Sequence, residues 1–211
     1  MDFNQFYHLS NKDIRGSLYV LSMGRITDGY KLFRGELELD SPVKFYPNFG
    51  KRLYDLVGSG WAIFHLFSSK IINILVENHI TGWKIYPCEL YGLDGKIIEG
   101  YSIFSVTGRC APIDWTKSEK FIKDPYIIGG GAADMIRGIY FGLEAWDGSD
   151  IFTAEGGTAF TFVTQKVRDL LIKNKVTNIL LERVTEMEML APQLEEIDPC
   201  IVEKANRFFG Q

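Results

Sequence analysis

The sequence predicts an α+β protein: a mostly antiparallel sheet carrying two equivalent strand-helix-strand units, followed by a helical segment at the C-terminus. Two observations lead to this prediction. Residues 64–81 occur a second time, without a gap, as residues 160–177. Each copy also has a short apolar run followed by apolar residues at helical spacing, which is typical of a helix that covers a sheet.

The two copies are related by a constant offset of 96 residues, from Phe64 to Phe160. Most remaining positions exchange similar side chains, which indicates an internal duplication. No reactive residue is shared, so the duplication predicts a scaffold and not an active site. The identical positions are Phe64/Phe160, Lys70/Lys166, Leu75/Leu171, Asn78/Asn174 and Thr81/Thr177.

Each copy contains its own signals for the start and the end of a helix. Ser68 and Thr164 stand where an N-cap hydroxyl would accept a backbone N–H. Asn78 and Asn174 stand where a residue in the left-handed conformation would end the helix. We therefore expect one helix of about three turns in each unit, with a strand on either side.

The chain divides by pattern into a β-rich segment (1–57), a first repeat unit (58–115) and a second repeat unit with an acidic helical tail (116–211), together forming one compact protein. Residues 1–15 are polar, and we expect them to be only partly ordered. The predicted strands are 16–23, 29–39, 83–91, 96–106 and 139–146, and the predicted helical tail is 186–209.

Composition bounds the class of protein. With 211 residues and 46% hydrophobic residues, the chain can bury a large core. It contains no signal-like N-terminus and no apolar run of about 20 residues, so we expect a cytoplasmic protein without a membrane partner. A net charge of −4 disfavours nucleic acid as a partner. Cys88, Cys110 and Cys200 are widely spaced, which is typical of ordinary buried thiols.

None of the reactive residues forms a motif that specifies an enzyme. The glycine run at 129–131 lacks the Lys-Ser/Thr of a phosphate-binding loop. His8, His65 and His79 have no metal-ligand spacing, so we interpret them as structural histidines. The sequence thus predicts no catalytic residue, no metal and no cofactor. A carboxylate-based enzyme stays open as an alternative, because sequence cannot show whether two acids share a cleft.

The C-terminal region is acidic, and we take it as the candidate partner-binding region. Such a face steers a basic partner electrostatically, although a solvated surface is the ordinary alternative. Two tryptophans at expected turns or edges are candidate anchors of the same interface, with core packing as their alternative. The candidate residues are Glu186, Glu188, Glu195, Glu196, Trp83 and Trp115.

A family resemblance enters at residues 148–152 (GSDIF) and 162–179, where an Asp-aromatic pair precedes a Val-Thr-x-Lys-Val helix start and a Thr-Asn stop. Residues 67–83 repeat that pattern. The pattern resembles the domain of immunity proteins of bacterial polymorphic toxin systems, the class typified by a Myxococcus immunity domain. The resemblance covers residues 55–185 and reaches neither the first 54 residues nor the acidic tail.

The resemblance implies a small cytoplasmic protein that binds and neutralises a cognate toxin without catalysis. Its partner would be a toxin protein of basic character, and homo-oligomerisation is left open. The alternatives are a small-ligand or structural interaction domain without a toxin partner, or the carboxylate-based enzyme named above.

Overall fold

The protein is an α+β protein in which strands predominate, which confirms the predicted class. The computed structural model describes residues 2–23, 28–60, 65–124, 131–156 and 159–191. The described residues form two compact units, unit 1 within residues 1–118 and 138–187, and unit 2 within residues 119–137 and 188–191. None of the helices within the described ranges is long and apolar enough to cross a membrane.

Short strands are the commonest element of the described chain, with α-helices between some of them. The first strands are β1 (Phe6–Asn11), β2 (Tyr19–Met23), β3 (Val43–Phe49), β4 (Leu56–Ser59), β5 (His65–Ser68), β6 (Trp83–Tyr91), β7 (Ile97–Ile98) and β8 (Tyr101–Val106). The later strands are β9 (Gly108–Cys110), β10 (Glu119–Lys123), β11 (Ala133–Arg137), β12 (Ile151–Ala154), β13 (Phe162–Thr164), β14 (Ile179–Arg183) and β15 (Glu188–Leu190). The α-helices are α1 (Gly29–Phe33), α2 (Ser69–Glu77) and α3 (Gln165–Lys173).

Unit 1 contains two sheets. The larger has the order β3-β2-β4-β5-β8-β6-β7, and an additional parallel pairing of β3 with β6 closes six of its strands into a ring. The smaller has the order β14-β1-β13-β12-β9. Most neighbouring strands run antiparallel, whereas β2 with β4, β3 with β6 and β9 with β12 run parallel.

The two sheets share one strand order. In the larger sheet, β6-β8-β5-β4-β2 follow one another, and the smaller sheet repeats this order as β14-β1-β13-β12-β9. The last pair is parallel in both cases. We call β2, β4, β5, β6 and β8, with α2, the first half, and β9, β12, β13, β14 and β1, with α3, the second half. β1 therefore takes the place in the second half that β8 takes in the first, although β1 precedes the other strands of both halves in sequence.

The registers of these matching strands also agree. Phe6 lies opposite Thr164 in the β1-β13 ladder, and Tyr101 lies opposite Ser68 in the β8-β5 ladder. Tyr101 comes 95 residues after Phe6, and Thr164 comes 96 residues after Ser68. The same displacements hold for every pair in the ladders that join β1 to β14 and β8 to β6. We call residues at matching positions of such ladders equivalent.

The two long helices match in length and position. α2 and α3 each span nine residues, start after Ser68 and Thr164, and end at Asn78 and Asn174, as the sequence predicts. Two local expectations were wrong. Neither hydroxyl caps its helix, and the left-handed residue comes one position later than expected, at His79 and its equivalent Lys175.

The N-terminal segment differs from its prediction in two places. Residues 6–11 form β1, a central strand paired on both sides, because Phe6, Tyr7 and Leu9 are buried. The strand expected over 29–39 is instead α1 at its start, where the Asp28 carboxylate accepts a hydrogen bond from the Lys31 N–H. Asp28 is thus the N-cap of a helix, and Gly29 is the first residue of that helix.

Two further predicted elements have other structures. Residues 139–146, expected to form a strand, contain one isolated bridge at Phe141 and a 3₁₀ helix at Leu143–Ala145. Residues 188–190, expected in a helical tail, form β15, and residues 192–211 lie outside the described residues. In unit 2, β10, β11 and β15 make a three-stranded antiparallel sheet.

One apolar cluster fills the interior of unit 1, and both long helices contribute to it. Ile71 and Leu75 on α2 and their equivalents Val167 and Leu171 on α3 are all fully buried there. Burial of such side chains from both halves stabilises them jointly. The scaffold therefore holds the ends of the strands, where the candidate site lies, in fixed positions.

Candidate functional site

A cleft of about 460 Å³ opens in unit 1 where the C-terminal half of β1 approaches the end of β4 and the start of β5. His8 on β1 and His65 on β5 both line it, 57 positions apart in sequence. Polar side chains surround the two imidazoles, and Tyr19 and Phe160 provide aromatic walls. The polar lining residues are Ser10, Asn11, Asp13, Ser59 and Thr161.

Both imidazoles are neutral at physiological pH. Burial, with a smaller contribution from the neighbouring His65, lowers the pKa of His8 to about 4. Burial alone lowers the pKa of His65 to about 4. Both Nδ1 atoms are buried, and neither has a hydrogen-bond partner within the described part of the chain. Two neutral rings with unused hydrogen-bonding capacity therefore lie in one cleft.

The cleft depends on a glycine between its walls. Gly58 lies opposite His65 in one ladder and opposite Tyr19 in the other. A Cβ atom at Gly58 would come within 2.5 Å of the Asn11 amide nitrogen and 2.9 Å of the Tyr19 ring. A larger residue at this position would displace lining side chains, so glycine keeps the cleft open.

The wall at Tyr19 continues into an exposed surface on β2, β3 and β6, which we call the aromatic face and define as Tyr19, Leu21, Tyr46, Phe49 and Tyr91. Tyr19 stacks on Phe49 with ring centroids 4.6 Å apart, and Tyr46 stacks on Tyr91 at the same separation. Leu21 lies opposite Tyr46 in the β2-β3 ladder. Leu21 and Phe49 are 44% and 59% exposed.

Hydrogen bonds and an ion pair hold one end of the aromatic face in place. The Tyr91 hydroxyl donates to the Glu89 carboxylate at 2.7 Å, and this bond raises the pKa of Tyr91 to about 12. Glu89 also pairs with Lys44 at 3.6 Å. The ring of Tyr91 is thus oriented before any partner arrives, which lowers the entropy cost of a contact.

The predicted tryptophan anchors lie apart from this surface. Trp83, at the start of β6, is half-buried, packs on Phe104 and donates its indole N–H to the Ile80 carbonyl at 2.8 Å. Trp115 is half-buried in a 3₁₀ helix that Asp114 caps. The structure does not bring the two indoles into one site.

The two predicted acidic contacts that lie within the described residues are each paired with basic side chains. Glu186 is exposed and pairs with Arg183 at 2.8 Å. Glu188, in unit 2, pairs with Lys123 and Arg137, which lower its pKa through hydrogen bonds. Its charge is therefore largely offset within its own sheet. Glu195 and Glu196 lie outside the described residues.

The thiols and the metal-ligand types form no reactive cluster within the described ranges. Burial raises the pKa of Cys88 and of Cys110 to about 12, so both thiols stay protonated at neutral pH. Among the described residues, no group of three or more His, Cys, Asp or Glu side chains could hold a metal ion. The two-histidine cleft thus offers hydrogen bonds rather than a full ligand set.

Sequence reasoning missed the cleft because its two histidines belong to strands far apart in the chain. The signal was present in part, since the repeat aligns His65 with Thr161. The ladders now show that Ile103 is the equivalent of His8. Each histidine therefore differs in type from its equivalent residue, which is Ile103 for His8 and Thr161 for His65.

Comparison with models of known protein families gives no match, and comparison with curated proteins gives none either.

Proposed function

We propose that this protein is a cytoplasmic immunity protein that neutralises a cognate toxin by stoichiometric binding, without catalysis. The resemblance over residues 55–185 supports the class. The observation that carries the proposal is the aromatic face, where the exposed Phe49 and Leu21 lie beside half-buried tyrosines. Its rings are stacked in advance, and aromatic side chains held in this way are typical anchors of protein interfaces.

The aromatic face is suited to contact with a partner, because part of its apolar area is not buried within the protein. Leu21 and Phe49 expose apolar area to solvent at a cost that only a partner removes. Ile97 extends the apolar area, since it lies opposite Tyr91 and is 52% exposed. The rings lie on paired strands, so a partner would bind them with little ordering cost.

The acidic residues have a supporting role in this proposal. Glu186 would steer a basic toxin during encounter, as would Glu195 and Glu196, with a smaller effect from Glu188 because Lys123 and Arg137 offset its charge. Trp83 and Trp115 would contribute secondary contacts outside the aromatic face. Steering changes the association rate and its salt dependence more than the dissociation rate. Charge reversal at Glu186 should therefore slow association several-fold at low salt, with little change in dissociation.

We further infer that the two halves arose by internal duplication and serve as scaffold. Support comes from the repeated sequence, the equal helices α2 and α3, and the matching registers of the β1 and β8 ladders. Reciprocal hydrogen bonds also join the halves, between Asp55 and Thr177 and between Asp150 and Thr81.

The test is binding of the toxin domain encoded in the adjacent reading frame, carrying an inactivating substitution. We expect a 1:1 complex with the wild-type protein. Tyr46→Ala and Phe49→Ala should each raise Kd at least about 30-fold, as expected when an interface anchor is truncated. Val76→Ala is the matched control, because Val76 on α2 is 57% exposed, close to the value for Phe49.

Two outcomes would contradict the proposal. If the wild-type protein forms no complex with the toxin domain, the proposed function is wrong. If the complex forms but Tyr46→Ala and Phe49→Ala bind as tightly as Val76→Ala, the toxin binds elsewhere and the aromatic face is not the interface.

A further inference from the structure

The two-histidine cleft is lined by β1 together with β2, β4 and β5. The strands equivalent to β1 and β2, which are β8 and β9, form a counterpart site, and there the chain itself is the occupant. Ser105 on β8 is equivalent to Ser10, which lines the cleft. Arg109 on β9 is equivalent to Tyr19, because each lies opposite the third residue of its matching neighbour strand. The hydrogen-bond partners of Ser105 and Arg109 therefore identify the occupant of the counterpart site.

At the counterpart site the occupant is α1 and the residues that follow it. The Ser105 hydroxyl donates to the Leu32 carbonyl at 2.6 Å, and an Arg109 N–H donates to the Arg34 carbonyl at 2.8 Å. Leu32 is completely buried. The Leu32 carbonyl also accepts a hydrogen bond from the Gly35 N–H at 3.0 Å, so the Ser105 hydroxyl is a second donor to it. The counterpart site thus binds carbonyls at the carboxyl-terminal end of a short helix.

A basic residue completes that occupant. Arg34, directly after α1, pairs with Glu155 at 2.8 Å and with Glu36 at 2.7 Å, and these bonds raise its pKa although burial opposes the shift. At the two-histidine cleft, the lining residue that supplies a carboxylate is Asp13. The described residues that line the cleft include no lysine and no arginine, so this part of the lining disfavours an anionic ligand.

We propose that the two-histidine cleft receives a segment of the toxin that ends in a helical turn followed by a basic residue, in the way the counterpart site receives α1. Ser10 and the ring N–H groups of His8 and His65 donate to the carbonyls of that turn, and Asp13 pairs with the basic residue. The cleft and the aromatic face then form one interface, because Tyr19 belongs to both. This inference rests on the proposed function.

The test replaces each histidine by the residue that the other half carries. The double variant His8→Ile, His65→Thr introduces the residues of positions 103 and 161, so each new side chain is one that the equivalent strand accommodates. It removes two neutral donors, and we expect Kd for the inactivated toxin domain to rise at least about tenfold. The matched control is His79→Lys, which introduces the residue of position 175 at the end of α2, and it should leave Kd unchanged.

A second variant protects the test against misfolding. Ser10→Trp fills the cleft from β1 and should raise Kd by a similar factor. Thermal unfolding of each variant, measured beside the wild-type protein, identifies those that fold. In the complex, we also expect the imidazole ¹⁵N resonances of His8 and His65 to shift, with those of His79 unchanged.

Each outcome decides the inference. Tenfold weaker binding by a folded cleft variant supports it, together with the ¹⁵N shifts. If both cleft variants fold and bind like the wild-type protein, the cleft inference is wrong while the proposed function stands. If the wild-type protein does not bind the toxin domain, the proposed function and this inference are both wrong.

Discussion

The Asp55 carboxylate accepts two hydrogen bonds from Thr177, one from its backbone N–H and one from its hydroxyl, each 2.8 Å long. Asp150 makes the reciprocal contacts with Thr81. Asp55 directly precedes β4 and binds Thr177, which lies between α3 and β14. Asp150 directly precedes β12 and binds Thr81, which lies between α2 and β6. These two contacts form a crossed clasp between the halves.

The clasp predicts a stability loss on removal of one charge. Asp55→Asn keeps the volume but replaces a carboxylate bound by Thr177 and Lys70 with a neutral amide. We expect a loss of about 1–3 kcal/mol in the free energy of unfolding, measured by urea denaturation. Glu77→Gln, at an exposed end of α2, is the control and should change it by less than about 0.5 kcal/mol.

A similar stability for Asp55→Asn and the wild-type protein would show that the clasp contributes nothing measurable. The pKa of Asp55 provides a second readout. Burial raises it, but the hydrogen bonds from Thr177 and Lys70 outweigh burial, so the net shift is downward. Its stabilising contribution is therefore present above the ordinary pKa of an aspartate and is lost as the pH falls through the lower folded value.

The pairing of β1 and β8 predicts that the chain can be cut between β6 and β7 without dissociation, because each resulting fragment contributes a central strand to a sheet of the other. Gly95 lies in the exposed turn between β6 and β7 with open space around it, so a protease site inserted after Asp94 should be tolerated. After cleavage, β1 stays between β13 and β14, and β8 stays between β5 and β6. We expect one species of unchanged size by gel filtration.

The uncut protein is the control for that experiment, and denaturing electrophoresis verifies complete cleavage. Separation of the two fragments in native buffer would show that the pairing of β1 with β13 and β14, and of β8 with β5 and β6, does not hold the fragments together.

The two buried histidines predict a loss of stability in acid. Their folded pKa of about 4 lies below the ordinary value of 6.5, so the unfolded chain binds more protons between these values. Their stabilising effect is complete above pH 6.5 and declines as the pH falls towards 4. At pH 5 the loss is about 2 kcal/mol per histidine.

Urea denaturation at pH 7 and pH 5 measures this difference. The double variant His8→Ile, His65→Thr should lose less stability between the two pH values than the wild-type protein, by up to about 4 kcal/mol. His79→Lys should behave like the wild-type protein. An equal loss in the double variant would mean that other groups control the acid sensitivity.

We predict that replacing Gly82 by alanine lowers the free energy of unfolding more than the same replacement at Gly95, another glycine with a positive φ. Its φ is +88°, and a Cβ atom would lie 1.9 Å from the Ile151 carbonyl oxygen. Gly82→Ala should therefore destabilise the protein by about 3 kcal/mol or more, through strain and backbone displacement. Gly95→Ala is matched in conformation, with φ at +75° but no atom within 4 Å, and should cost only about 1 kcal/mol.

Thermal denaturation of both glycine variants gives the comparison. Equal costs would show that the left-handed conformation dominates and that the close approach of the Ile151 carbonyl to Gly82 is unimportant.

The sequence predicted local features of this fold well where a signal lies within about ten residues. The positions of α2 and α3 followed from Ser68, Thr164 and the apolar spacing after each. The prediction was wrong where a distant contact decides. Ser68 and Thr164 donate their hydroxyls to Asp55 and Asp150 rather than capping their helices. Those acids are 13 and 14 residues away, across a strand pair.

The candidate site could not be predicted in the same way, because it depends on pairing across the whole chain. The short run around His8 looks polar in isolation, yet β1 is buried by β13 and β14, more than 150 residues later. The aromatic face likewise requires β3 to meet β6, and no local pattern specifies that parallel pairing.

The location of β1 has a consequence for synthesis of the protein. This strand is translated before its neighbours β13 and β14, which lie more than 150 residues later in the chain. At ordinary translation speeds the nascent strand waits about ten to thirty seconds before it can pair. During that interval its apolar residues, Phe6, Tyr7 and Leu9, are exposed to chaperones and to neighbouring nascent chains.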